Sequence, residues 1–278
     1  MTRIHATAIV DPSAELADGV EVGPHVVVEA DVRIGQNCRL MTGAVVRRYT
    51  TLGVGNIVHP CAVLGGEPQD LKFDSNSQTY LRIGDNNVFR EYVTLNRATQ
   101  PEGATVIGSG CYFMTQSHVG HECVIGDRVV LTNNAAVGGH CEIGPRAFLS
   151  ANVAIHQFCW VGEMVMMRGQ MASVSQHVPP YCMVTGLNFI TGLNTVGLRR
   201  AADISDQDRR QVKEAYRLLY RSSLTPREAL VEMDKCADWG APAGRFRDFV
   251  RRVLSAEKPF NRGLVTANAD RRGGESEE

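Results

Sequence analysis

Five of the eight histidines lie between residues 118 and 177, and four of them sit in short motifs with glycine, glutamate or glutamine neighbours. His118 and His121 belong to SHVGHE (117–122), His140 closes VGGH (137–140), and His156 opens HQF (156–158). An imidazole titrates near neutrality, so one of these can act as a general base on an attacking hydroxyl. Backbone N–H groups beside Gly138 and Gly139 can hold the oxyanion that such an attack creates. A second chemistry fits the same residues. His118-x-x-His121 with His140 offers three imidazoles for zinc. Spacing alone leaves both open.

The elements that must position these residues follow a six-residue period. Stepping by six from Ile4 to Leu64 meets only apolar side chains, and so does stepping from Ile107 to Met167. Ile83, Phe89 and Leu95 keep the second register between the two runs. Four residues after each large aliphatic comes a smaller side chain, as at Ala8, Ala14, Val20, Cys111, Ser117 and Cys123. Neither a helix of period 3.6 nor a strand of period 2 sustains such a pattern. It suits a β-solenoid with three short strands per coil, both repeating positions turned inward and a tight corner after each strand. Cys38, Cys111, Cys123, Cys141 and Cys159 fall on the small inward position and read as packing residues.

Three sixes make a coil, so residues eighteen apart stack, at ~4.8 Å between parallel strands. His121 then lies over Gly139 and Gly139 over Gln157; Glu122 lies over His140, and Gly138 over His156. The four histidines are off the inward positions, so core packing does not account for them. The polar insertions at 65–82 and 96–106 break the period and are expected to project as loops. The solenoid is expected over 1–190 and a helical cap over 191–278. Ser205 with Asp208 and Thr225-Pro226 with Glu228 mark helix starts, and RRGGESEE forms a disordered tail.

Composition narrows the function classes. With 29 Lys and Arg against 30 Asp and Glu, a net charge of −1 gives no general attraction to nucleic acid or an anionic membrane. No secretory leader and no apolar stretch long enough to span a bilayer is expected. The eight cysteines contain no CxxC pair, which fits a cytoplasmic protein with reduced thiols.

The run SHVGHE, NNAAVGGH, AIHQF and VPPY, with QDLK at 69–72, GLRR at 197–200 and EAYRLLYRS at 214–222, resembles the acyl-carrier-protein–UDP-N-acetylglucosamine O-acyltransferases of lipid A synthesis. The resemblance implies a left-handed parallel β-helix of hexapeptide repeats with a C-terminal helical domain. It implies transfer of a 3-hydroxyacyl group from acyl carrier protein to the 3-hydroxyl of UDP-N-acetylglucosamine, without metal or cofactor. His121 becomes the general base and Gly139 the oxyanion donor. Glu122 stands where the family commonly has Asp. His118, His140, His156 and Gln157 would position substrates; Asp70 and Lys72 would contact the sugar nucleotide; Asn194 and Arg200 would take its nucleotide end. Gly169 would admit the acyl chain, with Arg168 where small residues are usual and Val196 where Glu is frequent. Homotrimers with sites between subunits are implied, and Arg209, Arg210, Arg217 and Arg221 are candidates to receive the acidic carrier protein. The rivals are a zinc-dependent lyase on the same fold, a non-catalytic scaffold, and a related N-acyltransferase, a family that usually places a domain ahead of repeats that here begin at Ile4.

Overall fold

A computed structural model describes residues 1–170 and 172–267. The expected disordered tail at 271–278 lies outside the described residues. Among the described residues the hexads build a three-sided prism whose faces are sheets of 12, 9 and 8 short strands, parallel except for one hairpin at the end of the largest. The eighteen-residue coil is observed directly: Ile4 pairs with Val22, Val22 with Leu40, Val119 with Val137, and Val137 with Ile155. Strands are mostly two residues long because each six must also turn a corner. The second corner residue takes the left-handed conformation, as at Asp31, Asn37, Asn134 and Asn152, where φ is 59°. Short polar side chains tolerate that region better than branched ones.

The inward positions form one continuous buried core. Ile4 is an exception at 51% exposure, because no earlier coil covers it. The five inward cysteines are buried and unpaired. The Cys123 and Cys141 thiols donate to the carbonyls of Gly138 and His156 at 3.0 and 3.1 Å, just behind the histidine-bearing corners.

Both insertions project less than expected. Tyr80–Ile83 and Ala104–Ile107 pair with each other, and Leu81–Ile83 pairs with Thr50–Leu52. Leu81 and Thr105 alternate inward and are fully buried, which draws the ends of each insertion into the prism wall. The projecting parts shrink to about 67–79 and 97–103.

An antiparallel hairpin, Cys182–Gly186 with Phe189–Leu193, leads from the coils into the cap, so residue 190 lies inside a shared element. Four helices follow among the described residues: α1 (Thr195–Arg200), α2 (Asp206–Tyr220), α3 (Pro226–Asp234) and α4 (Ala241–Leu254). The expected capping boxes, Ser205 with Asp208 and Thr225 with Glu228, open α2 and α3. Val212, Ala215, Tyr216 and Leu219 form the buried face of α2. Beyond α4 the chain returns to the prism, where Leu264 bridges His177 and Thr266–Ala267 pairs with Phe189–Ile190. No helix among the described residues is long and apolar enough to cross a membrane.

Candidate active site

Two columns of corner residues carry the site. One holds His121, Gly139 and Gln157; the other holds Glu122, His140 and Phe158, with φ of 52°, 59° and 64°. Ladder bonds lock them together: the His140 N–H donates to His121 O at 2.8 Å, and the Phe158 N–H to Gly139 O at 3.0 Å. A rigid prism therefore presents these side chains, and they do not depend on a mobile loop for their spacing.

His121 Nδ1 is hydrogen-bonded to Glu122 Oε2. The other carboxylate oxygen, Oε1, accepts from the Thr99 N–H, from Thr99 Oγ1 at 2.8 Å and from the Gln100 N–H at 3.1 Å. Burial works to raise the Glu122 pKa, but the bonds from His121 and then from Thr99 and Gln100 outweigh it and hold the value at about 2. Glu122 is thus charged at neutral pH. A charged acceptor on Nδ1 fixes the proton there and leaves the lone pair on Nε2, the tautomer a base requires.

The His121 ring lies against the backbone of Gly139 on the next coil: a methyl group added there would sit 2.7 Å from both Cε1 and Nε2. Only a residue without a side chain leaves that space. The Gly139 N–H has no backbone acceptor among the described residues, so it is available to an incoming oxygen.

His140 meets His121 edge to face, with centroids 5.1 Å apart, and lies flat on Phe158 at 4.6 Å. Its Nε2 is 3.7 Å from Glu122 Oε2. Burial lowers the His140 pKa, opposed by Glu122 and, more weakly, by Asp70. His118 bonds Thr94 Oγ1 through Nδ1 at 2.8 Å, and its pKa is also lowered, chiefly by burial.

The remaining expected residues are more dispersed. Asp70 lies close enough to act on the charge of His140, and its carboxylate accepts from the Lys72 N–H at 2.9 Å; both are exposed. His156 and Gln157 are exposed on the following coil, with His156 Nδ1 bonded to Gln157 O at 3.0 Å. Gly169 packs against Ala151, whose carbonyl a methyl group there would approach to 3.2 Å. Asn194 caps α1, accepting from the Gly197 N–H at 2.9 Å and donating to Met164 O at 2.9 Å. Arg200 is exposed at the end of α1.

The three-histidine metal arrangement is not the one assembled. The donors that converge within 4.8 Å are His121, Glu122 and His140, without His118. Both Glu122 oxygens already accept hydrogen bonds, so this cluster is better built to orient an imidazole than to ligate. Thr99 and Gln100 were missed in the sequence, where no motif links the second insertion to residue 122. His177, the fifth histidine of the segment, stands apart from the cluster: it is fully buried and holds backbone.

Residues 177–265 match the family described as Udp N-acetylglucosamine O-acyltransferase, Domain 2, and residues 104–139 match the bacterial transferase hexapeptide family. Over 243 residues the chain is 44% identical to the acyl-[acyl-carrier-protein]–UDP-N-acetylglucosamine O-acyltransferase of Syntrophobacter fumaroxidans, covering 85% of this chain and 93% of the relative. The enzyme of that name from Akkermansia muciniphila is 46% identical over 84% of this chain and 90% of its own length. Among solved structures, UDP-N-acetylglucosamine O-acyltransferase from Moraxella catarrhalis superposes with a TM-score of 0.87 at 37% identity, over 94% of this chain and 99% of that one. The prism shares the left-handed winding of these β-helices.

Proposed function

The chain belongs to the acyl-[acyl-carrier-protein]–UDP-N-acetylglucosamine O-acyltransferase family, and we propose that His121 is the base that drives its reaction. The protein is an acyltransferase: it moves a 3-hydroxyacyl group from acyl carrier protein to the 3-hydroxyl of UDP-N-acetylglucosamine, the first step of lipid A synthesis.

The observation that carries the base assignment is the Glu122–His121 pair beside Gly139. His121 Nε2 takes the proton as the sugar oxygen attacks the thioester carbonyl. Glu122 stabilises the imidazolium that results, and the Gly139 N–H receives the oxyanion. When the tetrahedral intermediate collapses, the C–S bond breaks and the carrier thiolate recovers the proton from His121. An ester and a free carrier thiol are the products.

Around this centre, His118, His140, His156 and Gln157 line the approach of both substrates. Asp70 and Lys72 reach the sugar nucleotide from the first insertion, and Gly169 leaves room for the acyl chain. Arg200 suits a diphosphate by charge and fork geometry, and Asn194 contributes by fixing the start of the helix that bears it. A flat prism face makes a poor pocket on its own. A second prism supplies the missing wall, so we read the working form as a homotrimer with the site between subunits. The free cysteines fit a cytoplasmic location. Arg209, Arg210, Arg217 and Arg221 on and just beyond α2 are the surface we assign to the acidic carrier protein.

The test is mass spectrometry of products formed from UDP-N-acetylglucosamine and a ladder of 3-hydroxyacyl carrier proteins. O-Acylated sugar nucleotide is expected, and its absence at every chain length would overturn the substrate assignment. One alternative, a metal-dependent reaction, would use the same three donors, His121, Glu122 and His140. Stoichiometric metal in the active protein, with turnover lost on chelation, would establish it instead.

A further inference from the structure

Residues 256–263 follow α4 and take no part in the chemistry above. They cross the outside of the prism beside the catalytic corner. Buried His177 fixes them there: its Nδ1 accepts from the Trp160 N–H at 2.9 Å, so the ring proton is on Nε2, which donates to Phe260 O at 2.6 Å. The His177 N–H also donates to Gly263 O at 2.8 Å. With its backbone held, Phe260 stacks on Trp160 at 5.3 Å and meets Phe158 edge-on at 5.4 Å. Phe158 in turn lies flat on His140, whose ring abuts His121. One row of rings thus runs from the C-terminal segment to the proposed base.

We propose that Phe260 is a positioning residue for acyl transfer: by seating Phe158 on His140 it keeps that imidazole desolvated and neutral, which leaves Glu122 to His121. The inference rests on His121 being the base. His140 Nε2 stands 3.7 Å from Glu122 Oε2, the oxygen that His121 Nδ1 uses. A protonated His140 would pair with that oxygen, loosen the hold on His121, and place a positive charge beside an imidazole that must accept a proton. The charged and titratable groups facing His140 are Glu122 and His121 from the preceding coil and Asp70 from the first insertion; Arg262 lies over Phe158, 5.9 Å from its ring centroid. Glu122 and Asp70 favour protonation of His140. Burial is the largest influence against it, and Phe158 stacks against one face of the ring.

The full-length protein is assayed for kcat/KM against pH as wild type, Phe260→Ala, Phe260→Tyr and Phe260→Leu. In Phe260→Ala the acid limb should move up by about one pH unit, a tenfold change in the proton equilibrium, with the rate recovering at high pH. Phe260→Tyr should keep the wild-type limb and Phe260→Leu should fall between, so the series reads out even if the alanine variant folds poorly. A side-chain NMR titration should assign the raised pKa to His140. A loss of rate that is uniform across pH, or an unmoved His140 titration, overturns the proposal. His121→Ala, measured in parallel, separates the two readings, because full activity in that variant would remove the base assignment itself.

Discussion

The imidazole of His121 occupies the space that a side chain at Gly139 would need, 2.7 Å from where a methyl carbon would be. The two residues are eighteen apart and meet only because a coil closes between them. Gly139→Ala should therefore push the ring away from Glu122 without filling the core, since position 139 is at a corner. We expect kcat to fall at least ~10-fold, the scale of a displaced catalytic group, while thermal unfolding shifts by only a few degrees. Steady-state kinetics beside a melting curve make the comparison, and an unchanged kcat would show that the ring has room to spare.

His121→Ala removes the base but no core packing. Acyl transfer should drop at least ~10²-fold, the low end for a lost general base. The variant should still fold, because the side chain sits off the inward hexad positions, with a Tm modestly lowered by loss of the bond to Glu122. Wild-type turnover in a correctly folded variant would sink the mechanism.

Glu122→Gln keeps the shape of the acceptor and removes its charge. A loss on the order of 10²-fold is expected, as the imidazolium formed during attack goes unpaired. Glu122→Asp, which shortens the reach to Thr99, should retain more. The stability effect has a definite sign. The Glu122 pKa is depressed from 4.5 to about 2 in the folded chain, so its contribution is fully present above the unfolded value and is lost as pH falls toward 2. The difference in Tm between wild type and Glu122→Gln should therefore be largest near neutrality and shrink at pH 3. A gap that widens in acid would contradict this.

The prism and its corner columns were legible because the six-residue period is the physical constraint itself. A side chain that breaks it would be forced into or out of the core, so His121, Gly139 and Gln157 could be aligned by counting. Thr99 and Phe260 could not. Thr99 reaches Glu122 from an insertion that obeys no period, and Phe260 reaches Phe158 from a segment about a hundred residues away. Such contacts depend on loop paths, which leave no repeating mark in the sequence. Asn194 shows the opposite problem: the resemblance implies a nucleotide contact, whereas its side chain is engaged in capping α1. Polarity does not distinguish a projecting loop from the wall at the ends of the insertions, where Leu81 and Thr105 are buried.

Arg97 links the two insertions. Its side chain is 1% exposed, and its guanidinium lies 5.5 Å from the Tyr49 ring centroid and 5.2 Å from that of Phe73. It donates to Ser77 O at 3.2 Å and approaches Glu67 Oε1 at 3.5 Å, both on the first insertion. Arg97 itself belongs to the second insertion, two residues before Thr99, which holds Glu122. Arg97→Met would fill similar volume but release the carbonyl of Ser77 and the carboxylate of Glu67. Arg97→Lys should do little better, since a single ammonium cannot reproduce a planar fork between two rings. Because Asp70 and Lys72 ride on the freed loop, KM for the sugar nucleotide should rise several-fold. The drop in kcat should be smaller, limited to what is transmitted through Thr99 to Glu122. Kinetics with each substrate varied in turn distinguish these effects. A change confined to KM for the acyl carrier protein would place the first insertion away from the sugar nucleotide.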